Sequence, residues 1–394
     1  MAQPEIAVLV SSYQRPGHLR RVLASIAGQK GMRGAFEVVA TDDGSRDETA
    51  AMVRQFAASV SFPVRFTTHP HDGFQLARCR NEGVAATTAP YLLFLDGDCL
   101  IPPDHLRTHL DRRRAGYAMA GYYVHLDQAT SERITEEDAR LGNFVHFATW
   151  QQQARMRWRH VQASFYSLLR DPTRPKLLGG NIGIARDDYE RVNGYDENFR
   201  GWGCEDDDLR LRLRAAGVGV ASITWWTHAF HLWHPKTPSA PQTWRQGPNV
   251  SYFQRPVRLT KCLAGLHKRR LQDLSVAFVG QAPPAEAHQR LLPTWCRVAA
   301  TRGQGGQPEI EIALAGYSGE FSQCSDCRIL IVPSGQRADQ KLVAWADLIF
   351  ADGEVPGAAG ERTFALSAID EVVQRQLGAP LQVAGEVRKS ARAG

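Results

Sequence analysis

Tyr91-Leu92-Leu93-Phe94-Leu95-Asp96-Gly97-Asp98 is an apolar run that ends in two acids split by a glycine. The pattern predicts a buried strand running into a polar turn. Three earlier runs, Ile6–Val10, Phe36–Ala40 and Val64–Thr67, have the same character. Each is followed by apolar residues at helical spacing: Leu19, Val22, Leu23 and Ile26; then Ala50, Val53, Phe56 and Ala57; then Leu76, Ala77, Val84 and Ala85. Strands and helices alternating about every 30 residues predict βαβ units, which build parallel sheets covered on both faces. Right-handed crossovers make such a sheet doubly wound, so the fold class is α/β. Polar clusters follow three of the runs: Ser11-Ser12-Tyr13-Gln14-Arg15, Thr41-Asp42-Asp43-Gly44-Ser45 and Asp96-Gly97-Asp98. All three are expected at the carboxyl ends of parallel strands, where sheets of this kind bind ligands.

With 394 residues, 43% hydrophobic and 22% charged, the composition excludes disordered and fibrous classes and suits two domains. The texture changes near Leu274. Beyond it, Val276–Val279, Ile310–Leu314, Ile329–Val332 and Leu348–Phe350 read as strands, with a helix near Thr363–Leu377. The expected division is therefore residues 1–274, then a small α/β accessory domain over 275–394. No run reaches the ~18 apolar residues of a membrane span. Met1–Glu5 shows no basic segment leading into an apolar run, so no secretion signal is expected. Seven irregularly spaced cysteines fit reduced thiols and a cytoplasmic location.

Residues 1–275 carry 36 basic and 28 acidic side chains, the remainder 11 and 13. A mildly basic front part suits an anionic ligand such as a nucleotide, or peripheral contact with the cytoplasmic membrane surface. No concentrated basic stripe or reading motif marks a nucleic-acid binder. Ala139–Leu169 reads as an aromatic and basic helix, and Arg255–Leu274 as a basic amphipathic stretch; its Arg255–Arg270 part reads as a solvated face and is the membrane-contact candidate.

Neither Gly-rich phosphate motif follows any strand, so a carboxylate-held cation is the natural grip on a diphosphate. A turn through Gly97 can bring Asp96 and Asp98 towards one Mg²⁺ or Mn²⁺. A polar strand-end turn, or the nucleophile of a D-x-D phosphohydrolase, would also carry this pattern. The phosphohydrolase places its D-x-D on the first strand, whereas three strand units precede this one. Glu205-Asp206-Asp207-Asp208 stands before a short helical segment, Leu209–Ala216. Helix first turns favour acids. Four in a row also repel one another, and the resulting raised pKa suits a general base. His228, His231 and His234 recur every third residue and are candidate ligands. Cys324-Ser325-Asp326-Cys327 lacks the second cysteine pair of a zinc site.

Taken in order, the blocks Val10-Ser11-Ser12-Tyr13 with Arg15, Thr41–Ser45, Arg80-Asn81-x-Gly83 and Phe94–Asp98 resemble inverting family 2 glycosyltransferases of the GT-A fold. Gly179-Gly180-Asn181, Gly194-Tyr195-Asp196-Glu197 and Gly201–Asp208 extend the likeness. The last block is similar to the C-terminal catalytic region of β-1,4-galactosyltransferases and polypeptide N-acetylgalactosaminyltransferases, and His231–Pro235 to the histidine motif of bacterial relatives. The resemblance implies a nucleotide-binding half over 1–100 and an acceptor half over 101–274. It implies that Ser11, Tyr13 and Arg15 line the nucleotide pocket, Asp43 takes uracil, Arg80 lies by the donor and Asp96 holds ribose or a water on the metal. Gly179 and Gly180 would admit the donor sugar, Trp202 would stack on a sugar and Glu205 would bond the acceptor. Asp206 is the implied base. Asp98 with His231 is the implied ligand set for Mn²⁺ or Mg²⁺, with His234 or His228 as alternatives. The implied donor is a UDP-sugar and the acceptor a saccharide or lipid-linked saccharide. The runner-up readings are a silent nucleotide-sugar-binding protein and the phosphohydrolase. Cys99 and Cys204 depart from the family pattern.

Overall fold

A computed structural model of the chain describes residues 3–32, 35–171, 173–235, 241–279, 308–316 and 319–378. The predicted strands and helices appear in order: β1 (Ile6–Ser12), α1 (Pro16–Ala27), β2 (Phe36–Asp42), α2 (Thr49–Ser59), β3 (Val64–Thr68), α3 (Leu76–Ala85) and β4 (Tyr91–Asp96). Then come β5 (Cys99–Leu100), α4 (His105–Arg112), β6 (Tyr117–Ala120), β7 (Tyr123–His125), α5 (Gln128–Arg133), α6 (Glu136–Leu141) and α7 (Trp150–Leu168). β8 (Asn181–Ala185), α8 (Arg186–Arg191), α9 (Glu205–Ala215), β9 (Gly219–Ser222), β10 (Ala229–His231) and α10 (Val250–Phe253) complete the first unit.

Seven strands form one sheet in the order β3-β2-β1-β4-β8-β6-β9. The pairings of β1 with β2 and β4, and of β2 with β3, are parallel, while β8 runs antiparallel to β4 and β6. This is the expected α/β, mostly parallel GT-A arrangement. Its chain reverses direction of growth between β1 and β4, which opens a crevice at their carboxyl ends. β1 and β4 read as unbroken apolar runs because they are covered on both faces, and every residue from Ile6 to Val10 is fully buried. A second small sheet has the order β5-β10-β7, and its β5 directly follows β4 in the chain.

Two expectations for long stretches are corrected. Ala139–Leu169 is not one helix: Gly142 takes a left-handed conformation that closes α6, and Thr149 with Gln152 makes the capping box that opens α7. Arg255–Leu274 is not a solvated amphipathic face. Its only helical turn among the described residues is Leu271–Asp273. Val257, Leu259 and Leu263 instead bury in the core of the second unit.

That second unit begins at Gln254, ahead of the expected Leu274 boundary, because those apolar residues pack with the later strands. It contains β11 (Val276–Phe278), β12 (Ile310–Leu314), β13 (Cys327–Val332), α11 (Gln340–Trp345), β14 (Leu348–Ala351), β15 (Thr363–Ala365) and α12 (Ile369–Leu377). The five strands are parallel and lie in sequence order.

Candidate active site

The crevice begins with backbone register. Ser11 is paired with Thr41 on one side and Asp96 on the other. It is buried and accepts a hydrogen bond from the Thr41 hydroxyl at 3.1 Å. Gly97 donates its N–H to the Ser11 carbonyl at 2.7 Å. A Cβ on residue 97 would stand 2.9 Å from that same oxygen, so the turn between the two acids requires glycine.

Asp98 is the first focus. β5 pairs antiparallel with β10, setting His231 opposite Cys99, and the Leu232 N–H donates to the Asp98 carbonyl at 2.8 Å. His231 Nε2 then lies 3.5 Å from Asp98 Oδ1, and His234 Nε2 lies 3.2 Å from Oδ2. Arg15, at the start of α1, donates to Oδ2 from 3.2 Å. Burial would raise the Asp98 carboxyl, but the His234 hydrogen bond and the His231, His234 and Arg15 charges bring it below its usual range. One ligating atom from each of Asp98, His231 and His234 falls within 4.8 Å of the others. His228 is not in this group; its ring packs on Phe230. Asp96, Asp98 and Cys99 form a second cluster. Burial and the Asp98 and Asp96 charges push the Cys99 thiol well up from its usual range.

Arg80 is the second focus. It sits on α3 with its side chain 1% exposed. Nη1 donates to Asp206 Oδ1 at 2.9 Å and to the Tyr195 hydroxyl at 3.0 Å, and Nη2 donates to Asp96 Oδ1 at 3.2 Å. Tyr195 in turn donates to Asp206 Oδ1 at 2.8 Å, and the Gly179 N–H donates to Oδ2 at 2.8 Å. A Cβ on Gly179 would stand 1.8 Å from Arg80 Nη2, and one on Gly180 would stand 2.9 Å from Asp96 Oδ2. Both glycines therefore make room for this charge cluster. Asn81 locks the loop that carries Tyr195, donating to the Tyr195 carbonyl at 2.9 Å and to Glu197 at 2.9 Å.

The four acids of α9 separate by environment. Asp208 makes a fully buried ion pair with Arg212 at 2.7 Å, and Arg212 also donates to the Val192 and Gly194 carbonyls. Asp207 pairs with Arg210 and Lys176 towards the outside. Only Glu205 and Asp206 belong to the Arg80 cluster. Trp202, just before them, is half-exposed. Cys204 holds φ 75°, a left-handed conformation that favours glycine and costs a β-carbon residue about 1 kcal/mol.

Glu205 Oε2 is buried with no hydrogen-bond partner among the described residues. Burial, then the Asp206 charge, pushes its carboxyl up to about 7, with Arg80 partly opposing. The folded state thus holds a proton that the unfolded chain releases near pH 4.5. The stability contributed by protonated Glu205 is complete below about pH 4.5 and is lost as pH rises through about 7. Denaturant titrations of Glu205→Gln should therefore flatten the stability–pH curve over this window by on the order of 1–3 kcal/mol. An unchanged slope would show that Glu205 does not titrate there.

Asp43 lies at the β2 end of the crevice. Its Oδ1 is 2.8 Å from His69 Nε2, and the Gln75 N–H donates to Oδ2 at 3.1 Å. Burial raises its carboxyl, opposed by those hydrogen bonds. His69 Nδ1 meets Glu82 at 2.8 Å, and the Tyr13 ring stacks on His71 with centroids 4.4 Å apart.

Two family models match this part of the chain. "Glycosyl transferase family 2" covers residues 7–172, and the galactosyltransferase model, described as its N-terminal domain, covers residues 159–235. The chain carries a family 2 glycosyltransferase domain. Both foci of the crevice lie within the matched span.

Among curated relatives, validoxylamine A glucosyltransferase of Streptomyces hygroscopicus subsp. jinggangensis is 31% identical over 244 residues, 58% of this chain and 56% of that protein. Chondroitin synthase of Escherichia coli is 24% identical over 231 residues, 55% of this chain and 33% of that protein. The chain thus spans about half the length of the first relative and a third of the second. Among solved structures, a mannosyltransferase from Pyrobaculum calidifontis in complex with GDP-Man and Mn²⁺ aligns at TM-score 0.43 and 17% identity, covering 60% of this chain and 59% of that one.

Four transferase-domain residues escaped the sequence reading. His69 and His71 follow β3, and the polar string Thr67-Thr68-His69-Pro70-His71-Asp72 was the available signal. Tyr195 stood inside a motif but gave no hint that its hydroxyl would bridge Arg80 and Asp206. His125 sits opposite His231 in β7, ring centroids 5.0 Å apart, a pairing that only topology reveals.

Proposed function

We propose that this chain transfers a hexosyl or N-acetylhexosaminyl group from a UDP-sugar to a hydroxyl of a saccharide or lipid-linked saccharide, with inversion at the anomeric carbon. The observation that carries the reading is the adjacency of the Asp98–His231–His234 group to the Asp96–Arg80–Asp206 chain of hydrogen bonds. One carboxylate oxygen and two imidazole nitrogens suit Mn²⁺ better than Mg²⁺, which prefers all-oxygen sites. The donor set fits, and such a cation would neutralise charge developing on the diphosphate leaving group.

The chain's own groups do the rest. Ser11, Tyr13, Arg15 and Asp43 hold the nucleotide at the ends of β1 and β2. Asp96 and Arg80 fix the wall of the pocket nearest the donor, with Gly179 and Gly180 leaving the space. Trp202 and Glu205 hold the acceptor. Asp206 accepts the acceptor's hydroxyl proton as that oxygen attacks the anomeric carbon. The C–O bond to the leaving phosphate breaks on the opposite face, so a single displacement inverts configuration.

The test is incubation of the purified chain with UDP-hexoses and UDP-N-acetylhexosamines, with and without Mn²⁺ and saccharide acceptors, followed by NMR. Mn²⁺-dependent release of UDP with an inverted sugar on acceptor or water is expected. Donor binding without turnover would replace the enzyme by a binding protein, and phosphate release from simple monoesters would replace it by a phosphohydrolase.

A further inference from the structure

α7, Trp150–Leu168, has two contrasting faces. Met156 and Ala163 are buried, Ser167 donates to the Val220 carbonyl at 2.7 Å, and Gln152 donates to the His125 carbonyl at 3.1 Å. The opposite face carries Trp150, Ala154, Trp158, Val161, Phe165 and Leu168. At 100° per residue their side chains fall within one arc, so they form a continuous apolar stripe. On a helix facing only water this side would be polar. Here Trp150 is 75% exposed, Trp158 60%, Phe165 56% and Leu168 80%, with Leu169 exposed just beyond.

The charge beside the stripe selects its occupant. Arg155, Arg157 and Arg159 lie on this helix, Arg170 follows, and no aspartate or glutamate occurs from Trp150 to Arg170. Packing two copies of this face together would set arginine against arginine with no acid to pair. An apolar stripe of tryptophan, phenylalanine and leucine, bordered by arginines and uncharged Gln151, Gln162 and Ser164 with no acid among them, is instead complementary to an anionic lipid surface. The helix is about 28 Å long and would lie flat in the headgroup layer. No helix among the described residues is long and apolar enough to cross a membrane.

We propose that α7 is an interfacial helix that docks the chain on an anionic lipid bilayer through Trp150, Trp158, Phe165 and Leu168, with Arg155 and Arg157 meeting the headgroups. The membrane role assigned by sequence to Arg255–Arg270 moves to this helix. The inference stands apart from the transferase reading, since it uses none of the crevice residues.

Flotation of the full chain with phosphatidylcholine vesicles, alone or containing phosphatidylglycerol, tests it. Binding is expected on the anionic vesicles, weakened by salt. Arg155→Gln with Arg157→Gln should reduce it by about 5-fold per arginine, corresponding to about 1 kcal/mol each. Trp158→Ser with Phe165→Ser and Leu168→Ser should abolish binding while circular dichroism shows the fold retained, because all three side chains are mostly exposed to water. Failure of the native chain to float, or undiminished flotation of the triple variant, overturns the proposal. So does a concentration-dependent dimer in sedimentation that the triple variant abolishes while vesicles bind neither form.

Discussion

Asp98→Ala should lower Mn²⁺-supported sugar transfer by about 10³-fold or more, the scale of losing several kcal/mol of charge stabilisation at a leaving group. Alanine removes the carboxylate that pairs with both His231 and His234, and two imidazoles alone are a weak site. The fold should survive. The Leu232 N–H bonds the Asp98 backbone carbonyl, not its side chain, so the β5–β10 pairing is kept. Arg15, His231 and His234 are partly exposed and can be hydrated once their partner is gone. Mn²⁺ titration followed by electron paramagnetic resonance should show tight binding in the native chain and none in the variant, whatever the donor sugar. Native-like Mn²⁺ affinity in Asp98→Ala would remove this cluster as the metal centre. Normal transfer with unchanged Mn²⁺ dependence would remove it from the reaction as well.

The sheet was legible because both its signals are local. Apolar runs such as Ile6–Val10 and Tyr91–Leu95 mark strands buried on both faces, and the acids and serines behind them mark strand ends. The Asp98–His231–His234 group was half legible: the residues stood out, but the choice among three histidines needed the antiparallel β5–β10 register, which alternates Phe230 to one face and His231 to the other. Arg80 was placed near the donor without any sign that it would be fully buried between Asp96 and Asp206, since long-range ion pairing leaves no periodicity. The two long stretches were misread for local reasons. Aromatic and basic composition across Ala139–Leu169 hid the left-handed Gly142 and the Thr149 cap. In Arg255–Leu274, the two-residue step from Val257 to Leu259 suited extended backbone better than helix.

Asp206→Asn tests the proposed chemistry against the architecture that holds it. General-base catalysis contributes typically ~10²–10⁴-fold, and kcat should fall by about that much. The UDP-sugar KM should barely change, because Asp98, Asp43 and Tyr13 are untouched; the lost interaction belongs to the transition state. The structure adds a second consequence. Asn can still accept from Arg80 and Tyr195 through one oxygen, but its amide then faces the Gly179 N–H, leaving a donor against a donor. An unsatisfied buried N–H costs about 1–3 kcal/mol, so thermal stability should drop and must be measured beside the rate. Glu205→Gln separates the two acids. It keeps the Arg80 bonds intact and should raise the acceptor KM while sparing kcat. If Glu205→Gln instead loses the larger part of kcat, and the native rate rises with pH near 7, the base is Glu205. Asp206 is then the anchor that holds the Arg80 guanidinium and Gly179 in place.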